Sequence, residues 1–221
     1  MKYKAYTLRN FGEISDKLDF NEEHIDHMKA VAHVLPFKTN NYVINELIDW
    51  ENVPDDPIFR LTFPQKGMLE LHHYTKIAAK LQETSDPHEI NVVANEIRMD
   101  LNPHPAGQME KNVPLFGGEK LMGMQHKYDQ TVLFFPQNGQ TCHAYCSFCF
   151  RWPQFTNINK KFAMKQVDLL IDYVRDHPKV TDILITGGDP MVMCPRRRQS
   201  RETTRYAGLP LRVRRRAPLP Q

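Results

Sequence analysis

The chain has 221 residues, 41% of them hydrophobic and 25% charged, the balance of a soluble globular protein with room for one ordinary domain or a small domain and part of another. No run of about 18 apolar residues is present to span a bilayer, and the opening MKYKAYTLRNFGEISDKL lacks the apolar segment of a secretory signal. An integral membrane protein is thereby excluded, and a cytoplasmic location is expected, where clustered cysteines read as metal ligands rather than disulfide partners.

Taken in chain order, Asn21 is placed to cap a helix that carries Glu22 and Glu23 in its first turn, buries Ile25, Met28, Val31 and Ala32, and stops before Pro36. Apolar spacing predicts further helices from about Asn41 to Trp50, from Met68 to Leu81, and after Asp86-Pro87 through Ile90, Val93, Ala94 and Ile97. The first 125 residues therefore read as a mainly helical region. Its histidines at positions 24, 27, 72 and 73 have no cysteine or paired carboxylate at ligand spacing and are assigned no role. The stretch from Leu101 to Gly123, rich in Pro, Gly and Asn, reads as a connection.

From Thr131 the period changes. Thr131 to Phe135 suits a buried strand, Met164, Val167, Leu170, Ile171 and Val174 fall at helical spacing up to Pro178, and Val180 to Thr186 is a second buried strand. Strand, loop, helix and strand make one parallel βαβ unit, assigned to residues 126–193. Catalytic groups in α/β folds collect at the carboxyl ends of strands. Two features follow strands here and are expected on one rim: Cys142-x3-Cys146-x2-Cys149, and Gly187-Gly188-Asp189-Pro190. Three closely set thiolates suit a 4Fe-4S cluster with one iron lacking a protein ligand, able to chelate the amino and carboxylate groups of an added molecule. The glycines allow main-chain groups to approach that molecule closely. The competing readings are a Cys3His zinc site using His143, or a cluster that only staples the fold.

The composition breaks at Cys194. Residues 1–193 have a net charge of −5, whereas residues 194–221 reach +8 with nine arginines, no lysine and four prolines. Such a tail lacks apolar periodicity and is expected to be disordered. It resembles translation in a shifted reading frame more than a phosphate-binding arm, so nucleic acid is not expected as a partner, nor is a membrane.

Cys142-x3-Cys146-x2-Cys149 resembles the radical S-adenosylmethionine (SAM) signature, and Thr186-Gly187-Gly188-Asp189-Pro190 resembles the turn that receives the SAM amino group. His126-Lys127-Tyr128 before the first strand and Arg151 two residues past the last cysteine resemble the lysine 2,3-aminomutase branch, over about residues 60–193. The resemblance implies an α/β fold in which a helical N-terminal region precedes the start of a partial (β/α) barrel. It implies that Cys142, Cys146 and Cys149 hold a 4Fe-4S cluster, which donates an electron to SAM and releases a 5′-deoxyadenosyl radical that removes hydrogen from an amino acid during amino-group migration. Phe148 would pack near the adenine, or else join the core; Gly187, Gly188, Asp189 and Pro190 would meet SAM; Arg151 would pair with a substrate carboxylate. Lys127 would reach the phosphate of pyridoxal phosphate (PLP), but no residue here matches the Schiff-base lysine, so use of that cofactor stays open. A flavodoxin- or ferredoxin-type electron donor is implied, and self-association is left open. Because the pattern stops at Met193, the chain is expected to be a truncated or frameshifted isomerase of this type with little turnover alone. The alternatives are a PLP-independent radical SAM protein, a β-lysylating relative acting on a translation factor, and a non-catalytic or zinc-stapled module.

Overall fold

The computed structural model describes residues 2–15, 20–102, 107–147, 149, 151–156 and 162–192. Two compact units divide the chain, one formed by Met1–Pro105 with Cys142–Lys160, the other by Ala106–Thr141 with Lys161–Gln221. The predicted tail from Cys194 onward and Phe148 lie outside the described residues.

In the first unit, β1 (Ala5–Thr7) pairs antiparallel with β2 (Lys38–Asn40), and between them runs α1 (Glu22–Val34). Asn21 caps that helix as expected, its side chain accepting from the His24 N–H at 2.9 Å. Two cores meet on α1. Met28 and Ala32 join Phe11, Phe37, Phe59 and Phe63, with the Phe59 and Phe63 rings stacked at 4.7 Å, while Ala30, Val31 and Val34 join Ile77, Ala94 and Ile97. The second group of residues comes from α3 (Leu71–Glu83) and α4 (Pro87–Leu101), whose amphipathic faces pack on α1. Asp86 caps α4 and Pro87 opens it, whereas Asp56 and Pro57 do the same for the short α2 (Pro57–Thr62).

The helix predicted over Asn41 to Trp50 is replaced by a wide π-helical turn at Val43–Leu47 and a separate tight turn at Trp50–Asn52. Side-chain bonds account for the change: Asn40 Oδ1 accepts from the N–H groups of Tyr42 and Val43, and the Trp50 indole donates to the Ile44 carbonyl at 2.8 Å. The third helix begins at Leu71 rather than Met68 because the backbone is extended at Leu69 and Glu70, which buries Leu69.

The second unit contains a hairpin, β3 (Leu115–Phe116) with β4 (Glu119–Lys120), turning on Gly117 and Gly118 at positive φ. A three-stranded sheet follows. Here β5 (Met124–Tyr128) runs antiparallel to β6 (Thr131–Phe134), and β6 runs parallel to β7 (Asp182–Ile185) in the register Thr131↔Asp182 to Phe134↔Ile185. The crossover helix α5 (Val167–Asp176) lays Leu170, Tyr173 and Val174 onto Met124, Val132 and Phe134. The fold is thus a mixed α/β arrangement with the parallel βαβ unit that periodicity predicts. Its sheets are small and, among the described residues, no closed barrel forms. No described helix is long and apolar enough to cross a membrane.

Arg98 holds α1 and α4 together. Its Nε and one terminal nitrogen donate to the carbonyls of Val34 and His33, both at 2.6 Å, so a guanidinium caps the end of α1 while Asn95 accepts from its third nitrogen. Burial lowers its pKa to about 10, which leaves it charged at neutral pH. Replacing Arg98 with Ala strands two helix-end carbonyls and is expected to cost about 2–4 kcal/mol, read as a lower denaturation midpoint followed through Trp50 fluorescence.

Burial, reinforced by Arg98, also holds the His33 imidazole below its ordinary pKa. The unfolded chain therefore binds the extra proton more readily, so this contribution is complete above the unfolded value of about 6.5 and is lost as pH falls through the lower folded one. Between pH 7.5 and pH 5 the midpoint should fall less steeply in His33→Gln than in the parent chain.

Candidate functional site

The cysteine triplet lies on a loop with little regular structure of its own, and main-chain bonds fasten it to the first unit. The Tyr145 N–H donates to the Lys38 carbonyl on β2 at 2.8 Å, the Ser147 N–H donates to the Leu61 carbonyl on α2 at 2.7 Å, and Asn40 Nδ2 donates to the His143 carbonyl at 3.2 Å. The loop then tightens through Cys149 N–H to the Cys146 carbonyl and Trp152 N–H to the Cys149 carbonyl, both at 3.1 Å, the latter opening a 3-10 turn at Trp152–Phe155. Tyr145 stacks on Phe155 at 4.6 Å, with the Lys38 ammonium 5.9 Å from the same ring.

Cys142, Cys146 and Cys149 are all reduced thiols, Cys146 exposed and the other two half-buried. Burial pushes the Cys146 thiol above its ordinary pKa and the Cys149 charge adds to this. Burial raises Cys149 as well, against the main-chain N–H and charge of Arg151. Conversely, burial lowers the Lys38 ammonium while Cys142 pulls the other way. At neutral pH Cys146 and Cys149 therefore hold their protons, and a metal must displace them to bind.

A small, mostly apolar cleft adjoins Cys146 and Cys149, walled by Leu35, Phe37, Phe63, Pro64, Met68, Tyr145 and Trp152. Sequence reading did not find this wall, because its residues come from four separate stretches and serve equally as core.

The donor set fits an iron-sulfur cluster better than a single zinc ion. One ion needs its ligand atoms gathered closely, and among the described residues the His, Cys, Asp or Glu groups that meet within 4.8 Å do not include these cysteines or His143. A cluster sends each thiolate to a different iron, so its ligand sulfurs stand further apart than those of a single ion.

The glycine turn belongs to the second unit. Gly187 adopts φ +120°, and a Cβ there would strike the Gln140 side chain, while one on Gly188 would strike the main chain of Thr141. Gln140 donates from Nε2 to the Pro136 carbonyl at 2.9 Å and to that of Thr186 at 3.4 Å, tying together the exits of β6 and β7. The Asp189 N–H donates to the Thr141 carbonyl at 2.7 Å.

The remaining predicted residues are dispersed. Arg151 is half-buried against Cys149, and Pro190 starts a short 3-10 turn. Lys127 lies exposed on β5 with its ammonium 5.3 Å from the Tyr128 ring, and nothing among the described residues supports a PLP site around it. His126, by contrast, faces inward and shares a 2.6 Å hydrogen bond with the Tyr173 hydroxyl.

These features make the chain a mixed α/β protein with a three-cysteine loop and a glycine turn. No family profile matches the chain. Individual proteins do: it is 37% identical to the L-lysine 2,3-aminomutase of Bacillus subtilis over 190 residues, 86% of this chain and 32% of that protein. It is 27% identical to the L-lysine 2,3-aminomutase of Acetoanaerobium sticklandii over 182 residues, 82% of this chain and 35% of the relative. With the protein of the same name from Methanococcus maripaludis it shares 23% identity over 187 residues, 85% and 34% of the two chains. The chain is a relative of the lysine 2,3-aminomutases, and it spans about a third of the length of those it matches.

Gly188→Ala, forced into the Thr141 main chain, should lower the unfolding midpoint by the equivalent of about 2 kcal/mol or more, whereas Gly12→Ala, with open space around it, should change it little. Thermal unfolding of the two variants side by side checks this.

Proposed function

We propose that the chain is the cluster-binding portion of a radical SAM isomerase of the lysine 2,3-aminomutase type, with its βαβ unit as the start of the barrel. The observation that carries this reading is the set of three reduced cysteines at Cys-x3-Cys-x2-Cys spacing, strapped to a folded unit beside an apolar cleft. Cys142, Cys146 and Cys149 would hold a 4Fe-4S cluster, which when bound supplies the electron that cleaves SAM to methionine and a 5′-deoxyadenosyl radical.

The chain's own groups prepare the site. Leu35, Phe37, Phe63 and Trp152 exclude water from one side of the thiols. Gly187 and Gly188, held by Gln140 and Thr141, present main-chain groups where a side chain would intrude, suited to the amino end of SAM, with Asp189 and Pro190 completing the turn. Arg151 supplies a guanidinium near the cysteines for a carboxylate, whether of SAM or of an amino-acid substrate. A small electron-transfer protein would deliver the electron. No step is assigned to PLP.

Anaerobic reconstitution with iron and sulfide should give a brown protein with about four irons per chain that forms 5′-deoxyadenosine from SAM and dithionite. Cys142→Ser, Cys146→Ser and Cys149→Ser should each abolish both properties. A colourless protein that instead binds one tight zinc through the same cysteines would replace this reading with a structural module.

A further inference from the structure

The first unit carries a second constellation of metal-binding groups, remote in sequence from the cysteines. Helices α3 and α4 run antiparallel, and their seam is laced by rungs of opposite charge. Lys80 meets Glu89 at 2.6 Å, and Lys76 meets Glu96 at 2.8 Å. At the next rung, one turn further toward the start of α3, the lysine is replaced by two histidines facing Asp100. His73 Nε2 lies 2.7 Å from Asp100 Oδ2, and His72 Nε2 lies 3.8 Å from the same oxygen. The ligand atoms of all three residues fall within 4.8 Å of one another.

We propose that His72, His73 and Asp100 form a binding site for a divalent transition-metal ion, zinc foremost, that clasps the start of α3 to the end of α4. The charge pattern supports this. The two lower rungs each match a carboxylate with a lysine, but the top rung gathers Asp100 and the nearby Glu70 around imidazoles, which can coordinate a metal as an ammonium cannot. A dication there would balance the two carboxylates. Imidazole and carboxylate together suit zinc, nickel or copper rather than calcium or magnesium.

The geometry is near to that required. Tetrahedral ligands at zinc-nitrogen distances of 2.0–2.1 Å stand about 3.3 Å apart, and the observed separations of 2.7 and 3.8 Å bracket this value. Glu70 Oε2 lies 3.5 Å from His72 Nδ1, where it favours the proton on that nitrogen and leaves Nε2 to bind metal. His73 is only 6% exposed and packed at a fixed position, whereas His72 and Asp100 reach solvent on an open concavity. The concavity leaves coordination positions for water or another ligand. One cost is visible: when Nε2 of His73 binds metal, its proton moves to Nδ1, which is buried without a hydrogen-bond partner. That cost limits the site to micromolar rather than structural-zinc affinity.

The test uses the untagged chain with all four cysteines changed to Ser, so that only the helical site is read, and titrates zinc chloride by calorimetry. One site of micromolar affinity is expected, with a rise in unfolding temperature on zinc addition. His72→Ala, at an exposed position that tolerates the change, and Asp100→Asn should each weaken binding by about tenfold or more and remove the thermal rise. Glu83→Gln, at the far end of α3, should leave both unchanged. Absence of binding below about 1 mM, or binding that His72→Ala and Asp100→Asn leave intact, overturns the proposal. Failure of the iron-sulfur reading would not affect this outcome, because the cysteines are absent from the test.

Discussion

The proposed iron-sulfur site depends on how a loop with little regular structure of its own is held. Between Thr141 and Trp152 the described residues form no strand or helix to satisfy the backbone, and the bonds to Lys38, Leu61 and Asn40 supply partners from β2 and α2 instead. Those elements are fixed in turn by the aromatic core of Phe37, Phe59 and Phe63, and that core is one of two that share α1. The helical region is therefore the clamp on the cysteines. A buried main-chain bond is worth little in isolation, but losing its partner is costly, so the loop cannot drift without breaking several at once.

Different physical signals account for what was legible in the sequence. Helix α1 was readable because capping by Asn21 and spacing of Met28, Val31 and Ala32 agree, and α4 because Asp86-Pro87 opens an apolar stripe. The parallel pair β6 and β7 was readable as β-branched, apolar runs flanking an amphipathic helix. The segment after Asn40 misled, since its apolar residues have helical spacing while Asn40 and Trp50 bond the backbone into tighter and wider turns. Strands β1, β2 and β5 are short, polar or half-exposed, and they form because a partner is present rather than because the sequence demands it. Gly117-Gly118 was the one local cue to the β3–β4 hairpin.

For the candidate site, the cysteines were visible as spacing alone, because ligand identity is encoded in residue type. The surroundings were not. The wall of Phe37, Phe63 and Trp152 is assembled by tertiary packing, and Gln140 beneath Gly187 is one polar residue among many until its amide is seen joining two strand exits. The histidines on α3 show the same limit from the other side. No ligand spacing exists around positions 72 and 73, since Asp100 lies a helix and a turn away in sequence and comes close only because α3 and α4 fold back on each other.

The protonation of the thiols bears on the choice between metals. Burial and mutual repulsion raise Cys146, and burial raises Cys149, with Arg151 as the cation beside it. Metal binding must remove the protons of these two half-buried thiols, a cost repaid by a centre that draws strongly on the thiolates. A cluster of several irons does so through separate bonds to each, and the loop need not contract to meet one point. A single zinc ion would have to pull three sulfurs together against the bonds to Lys38 and Leu61. On the proposed reading, the fastening that makes the loop specific also suits an extended metal centre rather than a compact one.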